Sequence, residues 1–237
     1  MDFKRRGKLP WLSHFIYSLK HRGLMNTCAM GLKEWQKERE LGIDTFGDKD
    51  ANELSINCVS KEGGHLYQPS SSIIFERAMN VLPFNFKDKV FLDIGSGKGR
   101  ALILAAEAGF KKVIGIEYAN ELNDMAYTNI EKVKDRFPNT EFVLHEGDAL
   151  EFDIPEEVDV IYLFNPFDED AVRGLLKKVQ PVFAKQKPIH LIYVHPVHSN
   201  VLEDALGSPT CIINSQKGGI DVAVFCQSKK QSTSSDL

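Results

Sequence analysis

Val90-Phe91-Leu92-Asp93-Ile94-Gly95-Ser96-Gly97-Lys98-Gly99-Arg100 is an apolar run that carries one carboxylate near its end and then breaks into closely spaced glycines. The pattern predicts a strand, a tight turn and the start of a helix. Apolar residues at successive rather than alternate positions mean burial on both faces, so the strand is expected to be parallel and central. In open α/β sheets, ligands gather where such strands end and helix N-termini point. Glycine, lacking Cβ, lets the backbone take positive φ and lets a ligand approach the main chain. The turn is therefore a candidate nucleotide site.

Spacing narrows the choice of nucleotide. A dinucleotide fingerprint, G-x-G-x-x-G, needs its third glycine three residues after the second. Arg100 stands at that position here, and the third glycine falls at Gly99. Asp93 also precedes the first glycine by two residues, where a pyrophosphate would favour bare helix N–H groups with no carboxylate nearby. The pattern D-x-G-x-G-x-G resembles motif I of the class I S-adenosylmethionine (AdoMet) methyltransferases. The charges fit that cofactor, which carries an ammonium and a sulfonium but no phosphate.

Two further strands end in acids. Lys112-Val113-Ile114-Gly115-Ile116-Glu117 matches the family's motif II, whose acid accepts hydrogen bonds from ribose hydroxyls, a role that NAD-binding proteins share. Glu141-Phe142-Val143-Leu144-His145-Glu146-Gly147-Asp148-Ala149 brings Asp148 to the place of the motif III acid, which faces the adenine amino group. The resemblance implies that AdoMet is held by Asp93, Gly95, Ser96, Gly97, Gly99 and Arg100, by Glu117 with Tyr118, by Asp148 with Ala149, and by Asn165 further along the chain.

A fourth strand, Val158 to Phe164, runs into Asn165-Pro166-Phe167. This triplet resembles the motif IV signature of amino methyltransferases, in which Asp, Asn or Ser is followed by two prolines and an aromatic residue. One proline is missing here, which leaves the amino acceptor open. By that resemblance Asn165, Pro166 and Phe167 face the acceptor: the Asn165 carbonyl would aim a nitrogen lone pair at the methyl group, and the Phe167 ring would surround the acceptor. The alternative for Asn165 is a helix cap or turn residue. Ahead of the core, Tyr67-Gln68-Pro69-Ser70-Ser71-Ser72 resembles the Tyr-x-Pro segment of seven-strand lysine methyltransferases and of bacterial methyltransferases of unassigned substrate. Tyr67 and Gln68 are expected at the cofactor mouth, and the serines at the N-cap of a helix whose apolar face includes Ile74, Phe75, Ala78, Met79 and Leu82.

The rest of the core alternates strand and helix. Ala101 to Ala108 is an apolar helix closed by Gly109. Leu122, Ala126, Asn129, Val133 and Phe137 mark a second helix, and Val172, Leu175, Leu176 and Val179 a third. Pro188 to Val194 is a fifth strand, followed by a short helix over Val201 to Leu206. Cys211 to Asn214 and Asp221 to Cys226 form a closing hairpin. The expected fold is a doubly wound, mostly parallel seven-strand sheet with one antiparallel strand at the end. No separate substrate domain remains for a dehydrogenase.

At 237 residues, 43% apolar and with a formal charge of −4, the chain accommodates one domain of ordinary globular composition plus an accessory segment. The expected division is a helical or irregular extension over 1–65, the methyltransferase domain over 66–228 and a disordered tail over 229–237. No run approaches a membrane span, and the start lacks the uninterrupted apolar core of a signal peptide, so a cytoplasmic setting is expected. Cys28, Cys58, Cys211 and Cys226 are scattered, which indicates neither a zinc site nor a disulfide framework. His195 and His198 bracket Pro196 without a third ligand nearby; a metal is not expected, and general-base use of His195 stays open.

The extension is charge-segregated. Lys4, Arg5, Arg6, Lys8, Lys20 and Arg22 face a single acid, Asp2, within its first 22 residues. Trp11, Leu12, Phe15, Ile16 and Leu19 recur at helical spacing behind Pro10. A helix packed on the domain, a membrane-surface helix and an arm on nucleic acid all remain open; packing is favoured, because basic residues beside an apolar face are common. A second helix is expected over Gly31 to Leu41. Basic residues in the core form no aromatic-interleaved stripe, so a nucleic-acid substrate is not favoured. The function expected is methyl transfer from AdoMet to an N or O acceptor on a protein or small molecule. The alternatives are an NAD-dependent oxidoreductase and a non-catalytic AdoMet-binding module.

Overall fold

Asp93 and its apolar neighbours form the third strand from one edge of a seven-stranded sheet in the computed structural model, which describes residues 24–45, 69–164, 168–184, 187–214 and 220–226. In chain order the elements are α1 (Leu24–Leu41), α2 (Ser72–Met79), β1 (Val90–Ile94), α3 (Arg100–Ala108), β2 (Lys112–Glu117), α4 (Asn120–Val133) and β3 (Glu141–Glu146). They continue with β4 (Val160–Phe164), α5 (Glu169–Phe183), β5 (His190–Val194), α6 (Ser199–Leu206), β6 (Cys211–Ile213) and β7 (Val222–Cys226). The strand order is β3-β2-β1-β4-β5-β7-β6. β7 alone runs against its neighbours, pairing antiparallel with both β5 and β6.

The continuous apolar strands are explained by helices on both faces. Phe91, Val113, Tyr162 and Ile192 face Phe75, Ala78 and Met79 of α2, Leu102 and Ile103 of α3, and Ile130 and Val133 of α4. Leu92, Ile94, Ile161 and Leu191 face Val172, Leu175 and Val179 of α5 and Val201 and Leu202 of α6. No helix links β3 to β4. Leu150, Phe152 and Ile154 of that connection pack into the second layer instead. At the opposite edge from the glycines, the Asp159 carboxylate accepts from the Val90 amide at 2.9 Å and pairs with Lys187 at 2.9 Å, which pins the start of β1.

Several boundaries differ from expectation. α1 is described from Leu24 and runs through Gly31, the glycine's helix cost of about 1 kcal/mol being offset by docking of the C-terminal half, where Leu41 and the following Ile43 are buried in the same apolar cluster as residues of α2, α3 and α4. α4 stops at Val133, so Phe137 lies beyond it after a short 3-10 turn. β4 and β5 pair from Val160 and His190, two residues later than the apolar runs suggest. The serines before α2 make no side-chain cap. Glu34 of α1 does that work: its Oε1 accepts from the Ser72 amide at 2.9 Å, the Ser71 hydroxyl at 2.7 Å and the Ser72 hydroxyl at 3.1 Å. The amphipathic stretch from Trp11 to Leu19, the 65/66 boundary, Tyr67, Gln68, Asn165-Pro166-Phe167 and the tail lie outside the described residues.

Candidate cofactor site

The turn after β1 folds back onto the end of β2. The amides of Gly95 and Ser96 both donate to the Ile116 carbonyl, at 2.9 and 3.0 Å, and the Gly99 amide donates to the Ser96 carbonyl at 2.9 Å. Gly95, Gly97 and Gly99 have φ of +80°, +53° and +80°, a repeated left-handed excursion that a side chain would strain at each step. Gly99 serves a second purpose, since a Cβ there would lie 3.1 Å from Cβ of Ala126 on α4. Below the turn, a Cβ on Gly115 would lie 2.7 Å from both Ser96 Oγ and Leu102 Cδ1. A bare position in the middle of β2 is therefore what allows the turn to sit so close to the sheet.

Strand register brings the acids together. Asp93 stands between Gly115 of β2 and Tyr162 of β4. Glu117 closes β2 opposite Glu146 of β3, and the Gly147 amide donates to the Glu117 carbonyl at 2.9 Å, which starts the turn into Asp148. The Glu117 carboxylate accepts from the Gly97 amide at 2.8 Å and the Ala119 amide at 3.0 Å. Asp148 Oδ1 accepts from the Leu150 amide at 2.8 Å, while its Oδ2 and the Ser96 hydroxyl are buried polar groups without a hydrogen-bond partner. Ala149 is buried in the same apolar cluster as Ile94 and Ile116, and Tyr118 is half-buried against Ala119 and Leu122.

Burial sets the electrostatics. Asp93 is almost fully enclosed, and loss of solvent, with the nearby charge of Glu117, pushes its carboxyl up to about 8. Desolvation also raises Glu117, against the lowering effect of the amides of Ala119, Gly97 and Tyr118. A buried carboxylate pair of this kind favours a cationic ligand, which removes the cost of ionising either acid. Tyr162, also raised by burial, keeps its proton and donates to Ser70 Oγ at 3.3 Å. Its position on the face beside Asp93 follows from register, which the sequence pattern alone did not single out.

Arg100 needs correction. Grouped with the cofactor residues on sequence, its guanidinium is 3% exposed and engaged with protein: Nε donates to the Ser70 carbonyl at 2.9 Å, Nη1 to Thr45 Oγ1 at 2.6 Å and Nη2 to Glu34 Oε2 at 2.5 Å. His195, at the end of β5, holds φ +54°, the sole positive φ outside glycine among the described residues, and its amide donates to the Asp221 carbonyl at 2.9 Å. Among the described residues, no group of three or more His, Cys, Asp or Glu is placed to hold a metal ion. None of the described helices is long and apolar enough to cross a membrane.

Comparison with known proteins agrees with this architecture. Residues 91–186 match the family model of a methyltransferase domain. A candidate RNA methyltransferase from Pyrococcus horikoshii superposes with TM-score 0.55 at 18% identity, over 84% of this chain and 100% of that one. A candidate S-adenosyl-L-methionine-dependent methyltransferase from Methanococcus maripaludis superposes with TM-score 0.51 at 16% identity, over 68% and 86%. An RNA methyltransferase from Salinibacter ruber, solved with S-adenosyl-L-homocysteine, gives TM-score 0.49 at 21% identity, over 72% and 100%. At these identities the likenesses describe the fold. Residues 91–186 thus carry a methyltransferase-domain match, and the acid-flanked glycine turn lies within it.

Proposed function

We propose that the protein methylates a nitrogen or oxygen acceptor on a protein side chain or small molecule, with Asp93 facing the cofactor's ammonium, Glu117 its ribose and Asp148 its adenine. The observation that supports this assignment is that three adjacent strands carry Asp93 in β1, Glu117 at the end of β2 and Asp148 just after β3, with the Glu117 carboxylate bonded to the Gly97 amide of the positive-φ glycine turn. The orphaned Asp148 Oδ2 suits an amino donor such as that of adenine. Gly95, Ser96, Gly97 and Gly99 would pack against the methionine portion, and Tyr118 and Ala149 would border the adenine. Glu117 would exchange part of its bonding to the Gly97 and Ala119 amides for ribose hydroxyls.

Bound AdoMet supplies an electrophilic methyl on a sulfonium; the protein supplies position. Asn165, which follows the last paired residue of β4, would accept a hydrogen bond from the acceptor, Pro166 and Phe167 would face the acceptor with it, and Tyr67 and Gln68 would contact the cofactor. Orientation of this kind is worth several kcal/mol of barrier. His195 lies one residue beyond Val194, the β5 partner of Phe164, and would take a proton from a hydroxyl acceptor if the acceptor is oxygen.

The test is calorimetric titration with AdoMet, S-adenosylhomocysteine and NAD in parallel, followed by transfer of labelled methyl to peptides, small amines, phenols and RNA. Micromolar binding of the first two ligands with label on a peptide or small molecule supports the proposal. Label confined to RNA would overturn the acceptor assignment.

A further inference from the structure

Asp44 and Thr45, just beyond α1, and Ser70, just ahead of α2, meet the glycine turn and the start of α3 through contacts the cofactor reading leaves without a task. Arg100 is the first residue of α3, directly after Gly99. Its guanidinium joins three segments that are distant in sequence: Glu34 on α1, Thr45 just beyond it and Ser70 ahead of α2. Glu38 lies 3.5 Å from Nη1, and its Oε1 accepts from the Thr45 amide at 2.6 Å and the Thr45 hydroxyl at 2.7 Å. The residues Ser70 to Ser72 are gripped twice, with the Ser70 carbonyl on Arg100 and the Ser71 and Ser72 donors on Glu34. A second tie runs in parallel: Asn129 of α4 donates to the Lys98 carbonyl at 3.1 Å and the Asp44 carbonyl at 3.0 Å, and accepts from the Asp44 amide at 2.9 Å.

We propose that Arg100 is a positioning residue through which α1 and Ser70–Ser72 brace the glycine turn, so that AdoMet affinity depends on the Glu34–Arg100 tie. The route to the site is short. Ser70 Oγ receives the Tyr162 hydroxyl, and Tyr162 neighbours Asp93 in register, so the strip held by Arg100 also fixes the wall beside that acid. A buried ion pair is a costly way to hold a core together, since apolar residues of similar volume often stabilise as well or better. What the pair provides is direction: a planar fork with donors fixed toward three different acceptors. The extension is therefore part of the cofactor site, and the functional unit begins before residue 66.

This inference rests on the AdoMet reading of the turn, and the experiment separates the two. Full-length wild type, Arg100→Lys and the double variant Glu34→Leu/Arg100→Met are compared by thermal melting, by amide hydrogen exchange over residues 95–100, and by AdoMet titration well below the melting midpoint. The double variant is expected to melt cooperatively, to exchange its turn amides at least tenfold faster and to bind AdoMet at least tenfold more weakly. Arg100→Lys keeps a charge for Glu34 but cannot also reach Ser70 and Thr45, so it should lose affinity by several-fold while folded, and it carries the test should the double variant fail to fold. Folded variants with affinity within twofold of wild type would overturn the proposal, whatever their stability. If wild type binds no AdoMet, the cofactor assignment has failed, and exchange at the turn decides by itself whether the tie braces it: unchanged exchange rejects the brace.

Discussion

Binding of AdoMet should release a proton from Asp93. Burial, and then the charge of Glu117, hold this carboxyl up near 8, so at pH 6 to 7 it carries a proton until a cation arrives. Pairing it with an ammonium requires the ionised form, whose fraction rises nearly tenfold per pH unit below 8. The α-amino group of a ligand starts to lose its own proton near 7.7 to 8.0. Affinity is therefore expected to climb on the order of 20-fold between pH 6 and 7.5, about 1.8 kcal/mol, and to level off near pH 8. Glu117 sits beside Asp93 with its own carboxyl raised, and Tyr162, also raised, stays neutral throughout. Asp93→Asn removes the titrating group and keeps the shape, so its affinity should be lower and nearly flat with pH. Calorimetry in buffers of different ionisation enthalpy should count close to one proton released by wild type at pH 7 and close to none by the variant. A flat wild-type profile, or an unchanged slope in Asp93→Asn, would refute the role given to Asp93. The same raised carboxyl acts on folding with a fixed sign: the folded state holds this proton more tightly than the unfolded chain, so its contribution is fully present below pH 4 and is lost as pH rises through 8.

Glu117→Gln should fold and weaken AdoMet binding at least tenfold, whereas Glu117→Ala should also lose about 1–3 kcal/mol of stability, because it strips the Gly97 and Ala119 amides of their acceptor; equal affinity of Glu117→Gln and wild type in calorimetry would count against the ribose role. Gly115→Ala forces a Cβ to within 2.7 Å of Ser96 Oγ and Leu102 Cδ1, for which a melting measurement should read a loss of about 1–3 kcal/mol, accompanied by weaker cofactor binding as the turn shifts. Asn165→Ala is expected to leave AdoMet affinity unchanged and to lower kcat at least tenfold once an acceptor is known; wild-type turnover in the labelled-methyl assay would remove Asn165 from the acceptor site.

Much of the site could be read directly from the chain because its causes are local. A strand buried on both faces, glycines at positive φ and a helix that starts within one residue of the turn are all written into Val90 to Arg100, and the acids one residue before the end of β1, at the end of β2 and just after β3 are fixed by position in sequence. The closing hairpin and its antiparallel strand followed from turn residues between two short apolar runs. Pairing across the fold has no such local signature. That Asp93 stands beside Tyr162, that Gly115 must be bare for Ser96 to fit above it, and that Glu34 rather than a serine caps α2 depend on register and on which faces meet. Arg100 shows the division most clearly. Its place beside the glycines suggested a ligand contact, yet its partners lie 30, 55 and 66 residues away. A buried guanidinium must find acceptors wherever the packed elements bring them, and only the tertiary structure decides where those are.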